Sequence, residues 1–263
     1  MIAPILGEAV MARQPLHGGD LSAVSLVTLA NGREVVVKEG PLVAVEGRML
    51  TRLAAVGAPV PEVLEAAGER LVLGFLPEGR ATQDGWAILG ETLAQLHATV
   101  PKSGFAGWDE DYAFGAVAIP NTDRRDWSGF YATSRLGPAL SHLPVDLARR
   151  LEAVIADLPS LIGGRPLGLL HGELWSGNLL FATDGTPYLI DPACYFGDPE
   201  VDLAMLALFG QVPPVFWAAY GMLDAGWEER REVYQIWPAL VHYRLFGAGY
   251  RGMIEARLTA LGH

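Results

Sequence analysis

Leu169-Leu170-His171-Gly172-Glu173-Leu174-Trp175-Ser176-Gly177-Asn178-Leu179-Leu180 is the stretch on which the reading of this chain turns. An apolar run enters it and another leaves it, which predicts a loop bracketed by short strands. The loop displays a histidine, a carboxylate and, five residues after that carboxylate, an asparagine. Thirteen residues beyond Asn178, the apolar run Tyr188-Leu189-Ile190 ends in Asp191. Between them, Thr183-Asp184-Gly185-Thr186 has the composition of a hairpin turn. A hairpin there brings Asn178 and Asp191 to one end of two adjacent strands.

Phosphoryl transfer asks for these groups. A carboxylate accepts or orients the proton of the attacking hydroxyl, and an Asn and an Asp hold the Mg²⁺ that bridges the phosphates of ATP. A lysine, steadied by a glutamate on a helix, pairs with those phosphates. The order His, one residue, carboxylate, four residues, Asn, then a metal-binding Asp is that of a kinase loop. Lys38 ends the apolar run Val35-Val36-Val37, and Glu46 stands eight residues on, in the next predicted helix, where it can pair with it. Gly18-Gly19-Asp20 can form a turn that lets backbone N–H groups approach phosphates. The chain has no G-x-x-x-x-G-K-[ST], which excludes the P-loop class. Asp202 opens an apolar helix and is read both as its N-cap and as a brace of the loop through His171.

Working outward, Leu21–Leu29 and Arg33–Glu39 flank Asn31-Gly32, a strong hairpin signal. A helical pattern follows over Val43–Val56, then strand patterns over Val60–Leu64 and Arg70–Leu76. This predicts a small α+β lobe over residues 1–77 that binds the nucleotide, with a hinge near Phe75–Glu78. After Pro77 helical patterns dominate: Gly85–Thr99, a helix starting at Asp126, Val145–Leu158, and Val201 to the end. Ser103–Arg125 reads as a loop rich in Gly, Asp and aromatics. Residues 78–263 are therefore expected to form a larger, mostly helical lobe for catalysis and substrate binding. The expected class is α+β, with two lobes in the arrangement of a protein kinase.

Composition narrows the function further. Hydrophobic residues make up 51% of the 263, enough for a buried core. A net charge of −11 argues against a nucleic-acid surface, which needs basic stripes. Only Lys38 and Lys102 are lysines, so a lysine at the end of an apolar strand invites a chemical reading, since Arg is not its equivalent as a compact charge. The one cysteine, Cys194, forms no internal disulfide and reads as a buried small residue. Met1–Glu8 lacks the basic start and apolar run of a signal peptide, and the uncharged stretch between Asp202 and Asp224 is broken by Pro213-Pro214. It reads as two buried helices joined by a turn, and the expectation is a cytoplasmic protein without membrane contact. The histidines and the cysteine show no metal-ligand spacing, which speaks against a metal hydrolase or deaminase.

His171-Gly-Glu-Leu-Trp-Ser-Gly-Asn178, Ile190-Asp-Pro-Ala193 and Gly197-Asp-Pro-Glu-Val-Asp-Leu-Ala-Met205 resemble the fructosamine/ketosamine-3-kinase family, a branch of the aminoglycoside phosphotransferase and choline kinase superfamily. Gly18-Gly19, Asp126-Trp-Ser-Gly-Phe-Tyr131 with Arg135-Leu136, and Leu245-Phe-Gly-Ala-Gly-Tyr250 extend the likeness over nearly the whole chain. The resemblance implies ATP- and Mg²⁺-dependent phosphorylation of the third-carbon hydroxyl of a ketosamine, whose product then decomposes and frees the amine. It implies Glu173 as base, Asn178 and Asp191 as Mg²⁺ ligands, and Lys38 with Glu46 as the phosphate-positioning pair. Gly18, Gly19 and Gly74-Phe75-Leu76 would meet the nucleotide, the last three as the adenine hinge. Trp175 would line the sugar site, and His171 and Asp202 would support the loop. The implied partner is a small ketosamine or a glycated amine or protein, bound by a monomer or weak homo-oligomer.

The chain departs from the family at Glu173, where Asp is usual, and at Gly210-Gln211-Val212, where Gly-Gly-Phe is frequent. The cysteine that some members carry in the glycine-rich loop is absent. An extra methylene at Glu173 moves the carboxylate by over ~1 Å, a displacement that can cost about a hundredfold in rate. Two other readings stay open: a kinase for an aminoglycoside, choline or an aminosugar, and a pseudokinase that binds nucleotide with little chemistry.

Overall fold

The structure is a computed structural model that describes residues 4–16, 22–122 and 125–263. Gly18 and Gly19 lie outside the described residues.

The chain opens with β1 (Val10–Pro15), β2 (Ala23–Leu29) and β3 (Glu34–Glu39), followed by helix α1 (Val43–Ala55), β4 (Val63–Ala67) and β5 (Arg70–Gly74). These strands form one antiparallel sheet in the order β1-β2-β3-β5-β4. The Asn31-Gly32 turn joins β2 to β3, with Gly32 at φ 83°, and registers Val24 against Lys38. Alternation does the rest: Val35 and Val37 are buried on one face, while Val36 and Lys38 point to the other. The sequence reading missed β1, an edge strand whose Met11, Arg13 and Gln14 give no apolar alternation.

Helix α1 serves two cores. Val43 and Leu50 pack with Leu71 and Leu73 of the sheet, whereas Val45, Met49 and Leu53 belong to the large core of the helical part. Gly47 permits the sheet contact, since a Cβ there would meet that of Ala66 at 2.6 Å.

Beyond Pro77 come α2 (Gln83–His97), the short hairpin β6 (Tyr112–Phe114) and β7 (Val117–Ile119), α3 (Trp127–Tyr131) and α4 (Val145–Leu161). The hairpin lies where the sequence reads as a plain loop, because three-residue strands are too short to show a period. Thr82 caps α2 by accepting from Gly85 N at 3.0 Å, and Asp126 caps α3 from Gly129 N at 3.0 Å. Strands β8 (Gly168–Leu170) and β11 (Tyr195–Gly197) pair with each other, and between them β9 (Leu179–Phe181) and β10 (Pro187–Leu189) form the expected hairpin. Helices α5 (Glu200–Leu206), α6 (Pro214–Tyr220), α7 (Trp227–Phe246) and α8 (Arg251–Ala260) complete the chain.

Antiparallel sheet first and helices after give the α+β class expected. The stretch between Asp202 and Asp224 does form two helices, but only α5 is buried throughout; α6 buries Phe216 and leaves its remaining residues at least partly exposed. No helix among the described residues is long and apolar enough to cross a membrane.

Candidate active site

The two parts of the molecule face each other across a cleft of about 1020 Å³. The sheet contributes Val24, Val36, Lys38 and Leu73, followed by Gly74, Phe75 and Leu76. The helical part contributes Glu173, Trp175, Asn178 and Asp191 from the β8–β10 region.

Lys38 leaves β3 into this cleft and is only 4% exposed. Its Nζ donates to Glu46 Oε1 at 2.7 Å and to Asp191 Oδ1 at 2.8 Å, so one ammonium bridges α1 and the end of the β9–β10 hairpin. Burial opposes its charge, but the two carboxylates outweigh burial and hold the lysine proton more firmly than usual. The carboxylates fare differently. Burial pushes Glu46 up to about 7 against the pull of Lys38. Burial, then Asp191, pushes Glu173 up to about 8. Three carboxylates thus share one ammonium, a deficit of positive charge at the bottom of the cleft.

The hairpin register explains how Asn178 and Asp191 come together: Ile190 N donates to Asn178 O at 3.1 Å, with each residue just outside its strand. Asp191 takes up a left-handed backbone at φ 53°, which turns it out of the strand direction. Asn178 commits Nδ2 to Glu173 O at 2.8 Å, leaving its amide oxygen as the atom able to ligate. Asn178 and Asp191 therefore offer hard oxygen donors beside unbalanced negative charge. No cluster of three or more His, Cys, Asp or Glu among the described residues could hold a metal unaided. The oxygen donors of Asn178 and Asp191 fit Mg²⁺, which uses one or two side chains and leaves its other positions to phosphates and water.

The chain matches the family model for fructosamine kinase over residues 6–261. It belongs to the fructosamine kinase family. It is accordingly a phosphotransferase with an alcohol group as acceptor, and the kinase fold implies use of ATP. A Thermus thermophilus protein named "Probable ketoamine kinase" is 36% identical over 96% of this chain and 95% of its own length. The chloroplastic protein-ribulosamine 3-kinase of Arabidopsis thaliana is 33% identical over 81% of this chain and 68% of its own. Among solved structures, a candidate fructosamine-3-kinase of Thermobifida fusca superposes with a TM-score of 0.87 at 32% identity, covering 97% of this chain and 94% of that one.

In this fructosamine kinase family member the His171–Asn178 loop is built from behind. Asp202 Oδ2 accepts from His171 N at 2.7 Å, and Oδ1 from Gly172 N at 2.9 Å. Asp202 thus braces the loop through the backbone N–H groups of His171 and Gly172. The N-cap reading of Asp202 fails, because Pro199 occupies that position and both Asp202 oxygens are spent on the loop. Gly172 is fixed by geometry: it sits at φ 84°, and a Cβ would meet Ala193 O at 2.0 Å. The His171 ring bridges the loop ends, with Nε2 against Ile190 O at 2.9 Å and Nδ1 accepting from Glu173 N at 3.3 Å. That pattern requires the neutral Nε2–H tautomer, and burial lowers the ring's pKa in the same direction.

The roles of His97, Phe209 and His242 escaped the sequence reading. His97 meets Asp202 Oδ2 through Nε2 at 3.2 Å and the Tyr220 hydroxyl through Nδ1 at 2.9 Å, linking α2 and α6 to the loop. At sequence level His97 is merely a polar residue beside Leu93 and Leu96. Trp175, 40% exposed, begins a line of rings along the helical wall: Phe209 at 6.4 Å, then His242 at 4.9 Å from Phe209, with Phe246 and Tyr250 beyond. Cys194 is buried, its N–H directed at Met49 Sδ at 3.2 Å, and burial pushes its thiol pKa well up.

Proposed function

We propose that this chain uses ATP and Mg²⁺ to phosphorylate the 3-hydroxyl of ketosamines of the ribulosamine or fructosamine type, the step that initiates deglycation. The observation that carries the reading is the convergence of Glu173, Asn178, Asp191 and the Lys38–Glu46 pair on one cleft. Its support comes from family membership and from relatives named as ketoamine and ribulosamine kinases.

In this reading Glu173 takes the proton of the attacking hydroxyl, and Lys38, fixed by Glu46, orients the phosphates. Asn178 and Asp191 hold Mg²⁺, which neutralises the phosphate charge when bound. Gly74, Phe75 and Leu76 present backbone groups to adenine. Gly18 and Gly19 are assigned to the phosphates by resemblance alone. Trp175 gives the flat apolar surface that sugar C–H faces favour. His171 and Asp202 position the loop. Residues 1–77 form the nucleotide lobe and 78–263 the catalytic lobe.

The test is a panel of ribulose- and fructose-amine adducts incubated with the protein, ATP and Mg²⁺, with the phosphorylated carbon assigned by NMR. Phosphate on the third carbon is expected. Phosphate elsewhere, or transfer only to aminoglycosides or choline, overturns the assignment.

A further inference from the structure

Glu110, Asp111 and Tyr112 are consecutive, and the first two are anchored to different parts of the molecule. Both Glu110 oxygens take the Arg48 guanidinium of α1, with Nε at 2.7 Å from Oε1. Asp111 Oδ1 accepts from Asn121 N at 2.7 Å and Thr122 N at 3.1 Å, closing the base of the β6–β7 hairpin. Asn121 Oδ1 in turn accepts from Arg135 Nη2 at 2.7 Å. Arg135 is fully buried, 4.1 Å from the Tyr195 ring centre and 4.8 Å from that of Phe130. The hairpin is thereby pinned to α1 on one side and to the helical core on the other.

This bracket delivers Tyr112 to the cleft beside Glu46, Glu173 and Asp191. A phenol keeps its proton at any working pH, so Tyr112 enters the cleft as a neutral donor. Among the described residues the hydroxyl has no hydrogen-bond partner, and it is not fully buried. A neutral donor at a carboxylate-rich centre is suited to an uncharged oxygen ligand. The triphosphate has its own partners in Lys38 and the metal-binding oxygens, and the adenine side of the cleft is walled by Val24, Val36 and Leu73.

We propose that Tyr112 is an acceptor-binding residue: its hydroxyl donates to an oxygen of the sugar adjoining the hydroxyl that Glu173 addresses. The inference rests on the sugar-adduct reading above.

Tyr112→Phe removes the donor and keeps the ring. The KM for the ketosamine should rise about tenfold, the typical cost of one such hydrogen bond. The KM for ATP and the thermal midpoint should be unchanged. An unchanged acceptor KM overturns the proposal, and so does an equal rise in the KM for ATP. If the panel finds another hydroxyl compound as the acceptor, the ketosamine assignment fails, and the same variant measured on that compound still judges Tyr112. Ketosamine binding to nucleotide-loaded Glu173→Gln protein, with and without Tyr112→Phe, reads the contact without turnover: about tenfold weaker binding supports it, and equal binding overturns it.

Discussion

Two charge clusters among the described residues are built on opposite principles. Behind α5, Arg165 and Arg230 face Asp198, Glu200 and Asp224. Arg230 grips both Glu200 oxygens at 2.7 Å, and Arg165 reaches all three carboxylates at 2.7–2.8 Å. Tyr234 adds a donor to Asp198 at 2.6 Å. Planar guanidinium forks spend their donors on matched oxygens, and the cluster is closed. In the cleft, one compact ammonium serves three carboxylates, and burial pushes Glu46 and Glu173 toward their neutral forms. The first arrangement holds helices in place; the second is short of positive charge, as the proposed Mg²⁺ and phosphate site requires. A charge cluster left short of positive charge, and open to solvent, marks where chemistry happens.

That contrast can be broken most forcefully at Glu173. Glu173→Gln removes the proposed proton acceptor, and kcat should fall by about a thousandfold, within the range for loss of a general base. ATP affinity, measured by calorimetry, should stay within about twofold of the wild type. Turnover within tenfold of wild type would show that Glu173 is not the base. At the closed cluster the expected result is the reverse. Arg230→Met leaves Glu200 with Arg165 alone on Oε1 and should cost about 3 kcal/mol of stability, at the low end for a broken buried pair because that one partner remains. A loss of that size lowers the thermal midpoint by roughly 6–12 °C, with kcat per folded molecule unchanged. A large loss of kcat without a loss of stability would mean the two clusters are not separate in function.

How much of this was legible in the sequence follows from how far apart the partners lie. The β9–β10 hairpin with Asn178 and Asp191 was readable, because strand, turn and carboxylate fall within a few residues of one another. So was the β2–β3 hairpin, through Asn31-Gly32, which in turn placed Lys38 eight residues before Glu46. The link from Lys38 to Asp191 spans 153 positions and is made only by folding. The anchors of Tyr112 are of the same kind: Arg48 lies 62 residues before Glu110, and Arg135 reaches Asn121 from a π-helical turn, Ala132–Leu136, that no periodicity announces. Asp202 shows the intermediate case. Its type and position suggested both a cap and a brace, and only the two N–H groups of His171 and Gly172 decide between them.

Returning to the open cluster, Lys38→Arg tests whether a compact charge is what the site needs. The Nζ sits between two carboxylate oxygens at 2.7 and 2.8 Å, in a space that a planar fork does not fit. With ATP varied, kcat/KM should fall about a hundredfold, as expected for phosphates displaced by about 1 Å. Wild-type kcat/KM in Lys38→Arg would put the cleft and the arginine cluster under one rule after all.

The smallest expected effect is the most informative about this particular chain. Glu173→Asp restores the family's usual carboxylate and withdraws it by about the length of one methylene. The loop around it is held independently, since Asp202 fixes the His171 and Gly172 N–H groups, and the His171 ring ties Glu173 N to the Ile190 carbonyl strand. A backbone anchored at those points does not advance to make up the lost reach, so the shorter acid stands off from the acceptor. We expect kcat to drop about tenfold, less than the hundredfold that a full ångström can cost, because water or a small shift of the sugar closes part of the gap. The drop should appear in kcat rather than in the KM for ATP, since the nucleotide contacts are untouched. A rise in kcat would show instead that the loop is built for Asp and that the native glutamate holds this kinase below the rate its fold permits.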